Sequence, residues 1–157
     1  MRQVRGFTLI ELVIAVAIVG VLALMAAPLM EVTAQRQRET ELRIALRQIR
    51  SAIDAYHQAV LDKKIEAAAD ASGYPPDLSS LATGTRDLTD PEGKKLYFLR
   101  RVPRDPFFAD ATAAAADTWG KRAYSSPPEE PRAGEDVYDV YSLSEKKGLN
   151  GVTYREW

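Results

Sequence analysis

The chain has no cysteine and a single histidine among its 157 residues. The first absence excludes a disulfide framework, and the two together exclude a Cys–His metal cluster. A nucleotide-binding glycine motif and a nucleophile elbow are missing as well. Basic excess is lacking too: 21 Lys and Arg stand against 22 Asp and Glu, a net charge of −1, which argues against a general nucleic-acid binder. Two carboxylate pairs, Asp105 with Asp110 and Glu129 with Glu130, lie in Ala- or Pro-rich loops without an accompanying histidine or metal motif, and read as solvated loop charges. The one histidine, His57, lies beside an apolar helical stripe and is assigned no chemistry. These absences leave no catalytic reading.

What is present begins near the N-terminus. Residues 12–30 carry no charged side chain, and the apolar run 7–30 has the length of a helix that crosses about 30 Å of hydrocarbon. Arg2 and Arg5 precede it, which by the positive-inside tendency keeps the N-terminus cytoplasmic and sends the rest of the chain across. Glu11 places a carboxylate inside that run. Such a charge costs roughly 2.5–3.5 kcal/mol at the centre of a span and less near an end, so it calls for a role.

The motif Gly6-Phe7-Thr8-Leu9-Ile10-Glu11-Leu12, behind a short basic leader and ahead of the apolar run, resembles the processing signal of type IV prepilins and type II secretion pseudopilins. The resemblance implies cleavage by a prepilin peptidase between Gly6 and Phe7 and N-methylation of Phe7. Residues 1–6 are then lost as a leader, and with Arg2 and Arg5 gone the side-chain charge is two units more negative. The new α-amino group of Phe7 has an ordinary pKa of about 7.7–8.0 and still holds a proton once methylated. It is a cation suited to Glu11, either within one helix or from a neighbouring subunit displaced along the axis, which would set the register of a helical stack. The bland alternative is a glutamate at the headgroup level of a simple anchor. The resemblance assigns Thr8, Glu11 and Pro28 to assembly. Pro28 removes a helical N–H and predicts a kink or loosening near Leu24, with Gly20 a further weak helix former. Family filaments are unwound over the matching stretch 20–28, but Pro and Gly are also tolerated in membrane helices.

Beyond Pro28, Leu42, Leu46, Ile49, Ile53, Tyr56 and Val60 follow one another by fours and threes, one face of an amphipathic helix. Arg38, Glu39, Glu41, Arg43, Arg47, Arg50 and Asp54 are placed on the opposite, solvent side. The spacing predicts a spine reaching to about Ala69, its second half docked on a globular head, with Ser72-Gly73 and Tyr74-Pro75-Pro76 as the stop. Near the end of the chain, 122–125 and 137–142 have strand composition on either side of a Pro- and Glu-rich turn region and predict a hairpin.

The head resembles that of the G-type, or major, pseudopilin. The matching residues are Gly73-Tyr74-Pro75 with Leu78 and Leu81, Pro103-Arg104-Asp105-Pro106, Trp119-Gly120 with Tyr124, the strand 136–143, and Trp157. An Ala-rich insertion, 107–118, separates Asp-Pro from Trp-Gly, which are usually adjacent in that family. G-type pseudopilins commonly hold calcium in the loop after the last of these strands, and calcium needs six to eight oxygen ligands, several of them anionic. This chain offers Ser144-Glu145-Lys146-Lys147-Gly148 instead; Asp136, Asp139 and Glu145 remain as carboxylates and Leu143 as a carbonyl, a weak set. No cofactor is expected apart from that weak calcium option. The absence of cysteine counts against a major type IV pilin, whose C-terminal region is usually disulfide-closed.

The expected architecture is therefore α+β and type IV pilin-like: a leader (1–6), a transmembrane and assembly helix (7–30), an amphipathic helix (31–71) and a periplasmic head (72–157) with a small antiparallel sheet. The expected location is the bacterial inner membrane, single-pass, with assembly into a periplasmic pseudopilus. The expected partners are further copies of the chain, other pseudopilins, the prepilin peptidase, the assembly platform and its ATPase, and inner-membrane lipid, with no nucleic acid. A type IV pilin for adhesion, motility or DNA uptake, and a singly anchored periplasmic binding domain, are the alternatives.

Overall fold

The computed structural model describes residues 7–66 and 72–157, and of 23–29 the backbone alone. The chain divides into two compact units, residues 1–37 and 38–157. One helix, α1 (Leu9–Leu61), contributes to both. The described part of the first unit is helical from Leu9 onward and has no buried side chain among those described; its side chains from Phe7 to Leu22 are exposed all round.

Among the described residues no helix is long and apolar enough to cross a membrane. This corrects the expectation of a transmembrane spine, and with it the single-pass inner-membrane location. The helix also remains α-helical through Gly20 and Pro28, with no break at Leu24.

In the second unit, α1 buries Leu42, Ala45, Leu46, Ile49, Ala52, Ile53, Tyr56 and Ala59 against Ile65, Leu78, Leu81, Trp119, Val137, Val140 and Tyr154. Every member of the predicted stripe is buried except Val60, which is partly so. The helix stops at Leu61, earlier than Ala69. Lys63 turns left-handed at φ 58°, while Lys64 N–H donates to Ala59 O and Lys63 N–H to Val60 O, each at 2.9 Å. That pair of bonds is the Schellman closure, which satisfies carbonyls the helix end would otherwise orphan.

The head carries two separate antiparallel pairs. After the short helix α2 (Ser80–Thr83), β1 (Thr85–Arg86) pairs with β2 (Lys95–Leu96). Leu81, fully buried in α2, lends its carbonyl to the N–H groups of Phe98 (3.0 Å) and Leu99 (2.9 Å), which draws the aromatic segment onto the core. The second pair joins β3 (Trp119–Arg122) to β4 (Asp139–Ser142), with Trp119 opposite Ser142 and Arg122 opposite Asp139. The predicted hairpin therefore lies about three residues further toward the N-terminus on its first strand, and 123–138 is a long connection rather than a tight turn. Gly120 explains the choice: a Cβ there would lie 2.2 Å from the Tyr141 ring, so only glycine lets that ring lie across the strand.

Candidate functional site

The N-terminal motif and the loop after β4 are the two places where sequence reasoning put function. At the first, Gly6 and the side chain of Pro28 lie outside the described part of the structure. Phe7 is exposed, and Thr8 stands immediately before the first residue of α1. Thr8 N–H and Thr8 Oγ1 both donate to Glu11 Oε2 at 2.9 Å, and Glu11 N–H donates back to Thr8 Oγ1 at 3.3 Å. This is a capping box: the hydroxyl and the carboxylate each satisfy a main-chain N–H that the helix start leaves without a partner. The bonds from Thr8, main chain first and hydroxyl second, hold the Glu11 carboxyl below the usual carboxylate range. Its other oxygen, Oε1, takes none of these bonds. The Thr-x-x-Glu spacing was legible in the sequence, and gives Glu11 a local role beside any role between subunits.

At the second, the four calcium candidates do not form a cation site. The Asp139 carboxylate accepts Arg50 Nε at 2.8 Å and its neighbour Val140 N–H at 2.8 Å. The Asp136 carboxylate accepts Tyr124 N–H at 2.8 Å and the Ser72 hydroxyl. Leu143 and Glu145 are exposed. Among the described residues no group of three or more His, Asp or Glu side chains is placed to share a metal. The residues do not fit calcium, because the carboxylates of Asp136 and Asp139 are already matched to Arg50, a hydroxyl and main-chain donors, and no third carboxylate is placed to join them among the described residues.

Three charged residues that the sequence pattern left to solvent are structural ties. Glu39, only 4% exposed, accepts Leu149 N–H at 2.8 Å and the Tyr154 hydroxyl at 3.0 Å through Oε1. Arg50 donates to Val140 O (3.0 Å) and Trp157 O (2.9 Å) besides its pairing with Asp139. Asp105, read as a loop charge, is buried; it accepts Ser142 Oγ at 2.5 Å and Phe107 N–H at 2.8 Å, and its own N–H reaches Thr118 Oγ1 at 3.1 Å. It thereby pins the two ends of the 107–118 insertion to β4. Arg104 closes the same insertion on the carbonyls of Asp110 and Ala113. Helical periodicity did not reveal these ties, since an i, i+3 or i+4 rule assigns a charged residue to solvent unless a partner far along the chain is known.

His57 stacks on Tyr74, with ring centroids 4.2 Å apart and planes at 7°, and its Nδ1 is buried without a hydrogen-bond partner. Tyr74 in turn meets Tyr124 and Tyr138. An open groove of about 720 Å³ runs past Tyr74, Tyr124 and Asp136, but the carboxylate there is the one held by Ser72 and Tyr124 N–H. Nothing in this arrangement pairs a base with a nucleophile.

Comparison with known proteins returns the N-terminal motif and a distant likeness along nearly the whole chain. A family model, the prokaryotic N-terminal methylation motif, matches residues 1–27. The type II secretion system core protein G of Dickeya chrysanthemi is 27% identical over 161 residues, an alignment covering 96% of this chain and 96% of that protein. No solved structure matches. The motif at one end and the distant likeness along nearly the whole length together support a pseudopilin-like chain, at the level of the family.

Proposed function

We propose that this chain is a pseudopilin subunit, most like the G type, which is cut between Gly6 and Phe7, methylated on Phe7, and polymerised through its N-terminal helix into the pseudopilus of a type II secretion system. Growth of that filament drives folded proteins across the outer membrane. The role is structural, not enzymatic: the full-length likeness is to a core protein of a secretion system. The observation that carries the reading is the apolar helix surface left exposed among the described residues. Phe7, Leu9, Ile10, Leu12, Val13 and Ile14 are each more than half exposed, and so are the described Val, Ile and Leu side chains from Val16 to Leu22. A helix apolar on every side is stable only when other apolar surface covers it, and parallel copies of the same helix supply that surface.

In such a stack Thr8 fixes the Glu11 carboxylate at the helix start, and Glu11 Oε1 receives the Phe7 ammonium of the neighbouring subunit. The further partners are other pseudopilins, the prepilin peptidase, and an assembly platform with its ATPase; the chain has no nucleotide-binding motif of its own. The test compares culture-supernatant proteomes of a deletion strain and the same strain complemented in trans. Specific exoproteins are lost from the deletion supernatant and restored by the wild-type gene. An unchanged secretome together with lost surface pili, motility or DNA uptake would make the chain a type IV pilin. Complementation with Gly6→Trp leaves an unprocessed N-terminus by mass spectrometry, and a mature Phe7 end from that variant would sink the cleavage assignment. Glu11→Ala is processed yet assembles poorly; normal filaments from it would remove the charge pairing.

A further inference from the structure

We propose that the Arg50 guanidinium, with Glu39 as its counterpart, does in this chain what a bound cation does in a calcium loop, so that α1 itself closes residues 139–157 and the closure requires no metal. Calcium organises a loop by collecting a carboxylate and several main-chain carbonyls around one positive charge. Arg50 collects the same kinds of oxygen: one carboxylate, Asp139, at 2.8 Å and two main-chain oxygens, Val140 O at 3.0 Å and Trp157 O at 2.9 Å. The planar fork of an arginine suits several acceptors at once, and its charge is permanent.

Glu39 supplies the opposite pole. It lies about three turns before Arg50 on nearly the same face of the helix, and its buried carboxylate collects donors rather than acceptors, the N–H of Leu149 and the hydroxyl of Tyr154. Between the two poles the loop closes on itself. Gly148 N–H meets Val152 O at 2.8 Å, Tyr154 N–H meets Lys146 O at 3.0 Å, and Lys147 bridges Thr153. Aromatic packing completes the clamp, with Tyr154 stacked on Phe107 at 3.9 Å and Arg43 lying 4.3 Å over the Trp157 ring. The two lysines that make the loop unsuitable for calcium therefore carry no penalty here: the positive charge that organises the loop is already on the helix.

The experiment uses the full chain, and its readout is the head alone, so it stands apart from whether the chain assembles or supports secretion. Tryptic cleavage at Lys146 and Lys147 is timed in millimolar calcium chloride and in EGTA, alongside the thermal midpoint. The wild-type rate and midpoint are the same in both. Arg50→Met is cleaved at least ~tenfold faster in both, since the loop opens more often. Glu39→Leu, which leaves no acceptor, loses amide-exchange protection at Leu149 while Ile53 in the core keeps its own. Calcium slowing cleavage or raising the midpoint of the wild type overturns the proposal, as does an Arg50→Met loop that resists trypsin like the wild type. Should Arg50→Met fail to fold, the wild-type calcium comparison and the Glu39→Leu exchange decide by themselves.

Discussion

The first unit, residues 7–37 as described, and the second, 38–157, share one helix and differ in what surrounds it. In the first, Leu9, Ile10 and Val16 stay well exposed; in the second, Leu42, Ile49 and Ile53 are fully buried. Secondary structure is the same on both sides, so helix propensity does not distinguish them. The difference is whether the chain supplies its own covering surface. The second unit does, and its stability is a property of the monomer. The first does not, and its apolar surface becomes stabilising only when something else covers it.

That contrast can be broken by substitutions at matched positions. Ile49→Ala removes a fully buried side chain and is expected to cost the head about 2–5 kcal/mol, read as a lowered urea midpoint; a change under about 1 kcal/mol would mean that the helix is not seated in the core. A smaller loss, about 1–3 kcal/mol, is expected for Gly120→Ala, because the new methyl group must displace the Tyr141 ring across the β3–β4 pair. Wild-type stability in that variant would show that the ring turns aside freely. Thr8→Ala should leave the head's midpoint unchanged and raise amide exchange only at the start of α1, at residue 8 and Glu11, since the capping box is local; exchange spreading into residues 42–60 would overturn that local role. Ile14→Ser is expected to alter head stability least, within about 0.5 kcal/mol, while abolishing assembly. Loss of head stability there would end the comparison, because it would show that the apolar surface of the first unit is already used within the monomer.

The head's helix was legible because a three-and-four spacing leaves little freedom: Leu42 through Tyr56 could only be one face. The terminal strand was legible from Val-Tyr-Asp-Val-Tyr. Its partner was misplaced, as strand composition at 122–125 says nothing about register, and the clearance over Gly120 decides it. The membrane expectation is corrected by the fold, since among the described residues no helix is long and apolar enough to span. At the N-terminal motif, the residues were identified from sequence, whereas the capping bonds between Thr8 and Glu11 needed coordinates to be seen.

The sequence by itself determined that the chain has no disulfide or Cys–His metal chemistry, that it carries an N-terminal methylation motif, and that one helical face from Leu42 onward must be buried. Tertiary structure alone decided what Glu39, Arg50 and Asp105 do. Each is a charged residue that the local pattern assigns to water, and each is turned to structural use by partners that lie 37 or more positions away in the chain. Pattern rules register only the nearest turns of helix or strand, whereas the stabilisation of a charge is set by whichever groups the fold brings within about 3 Å of it.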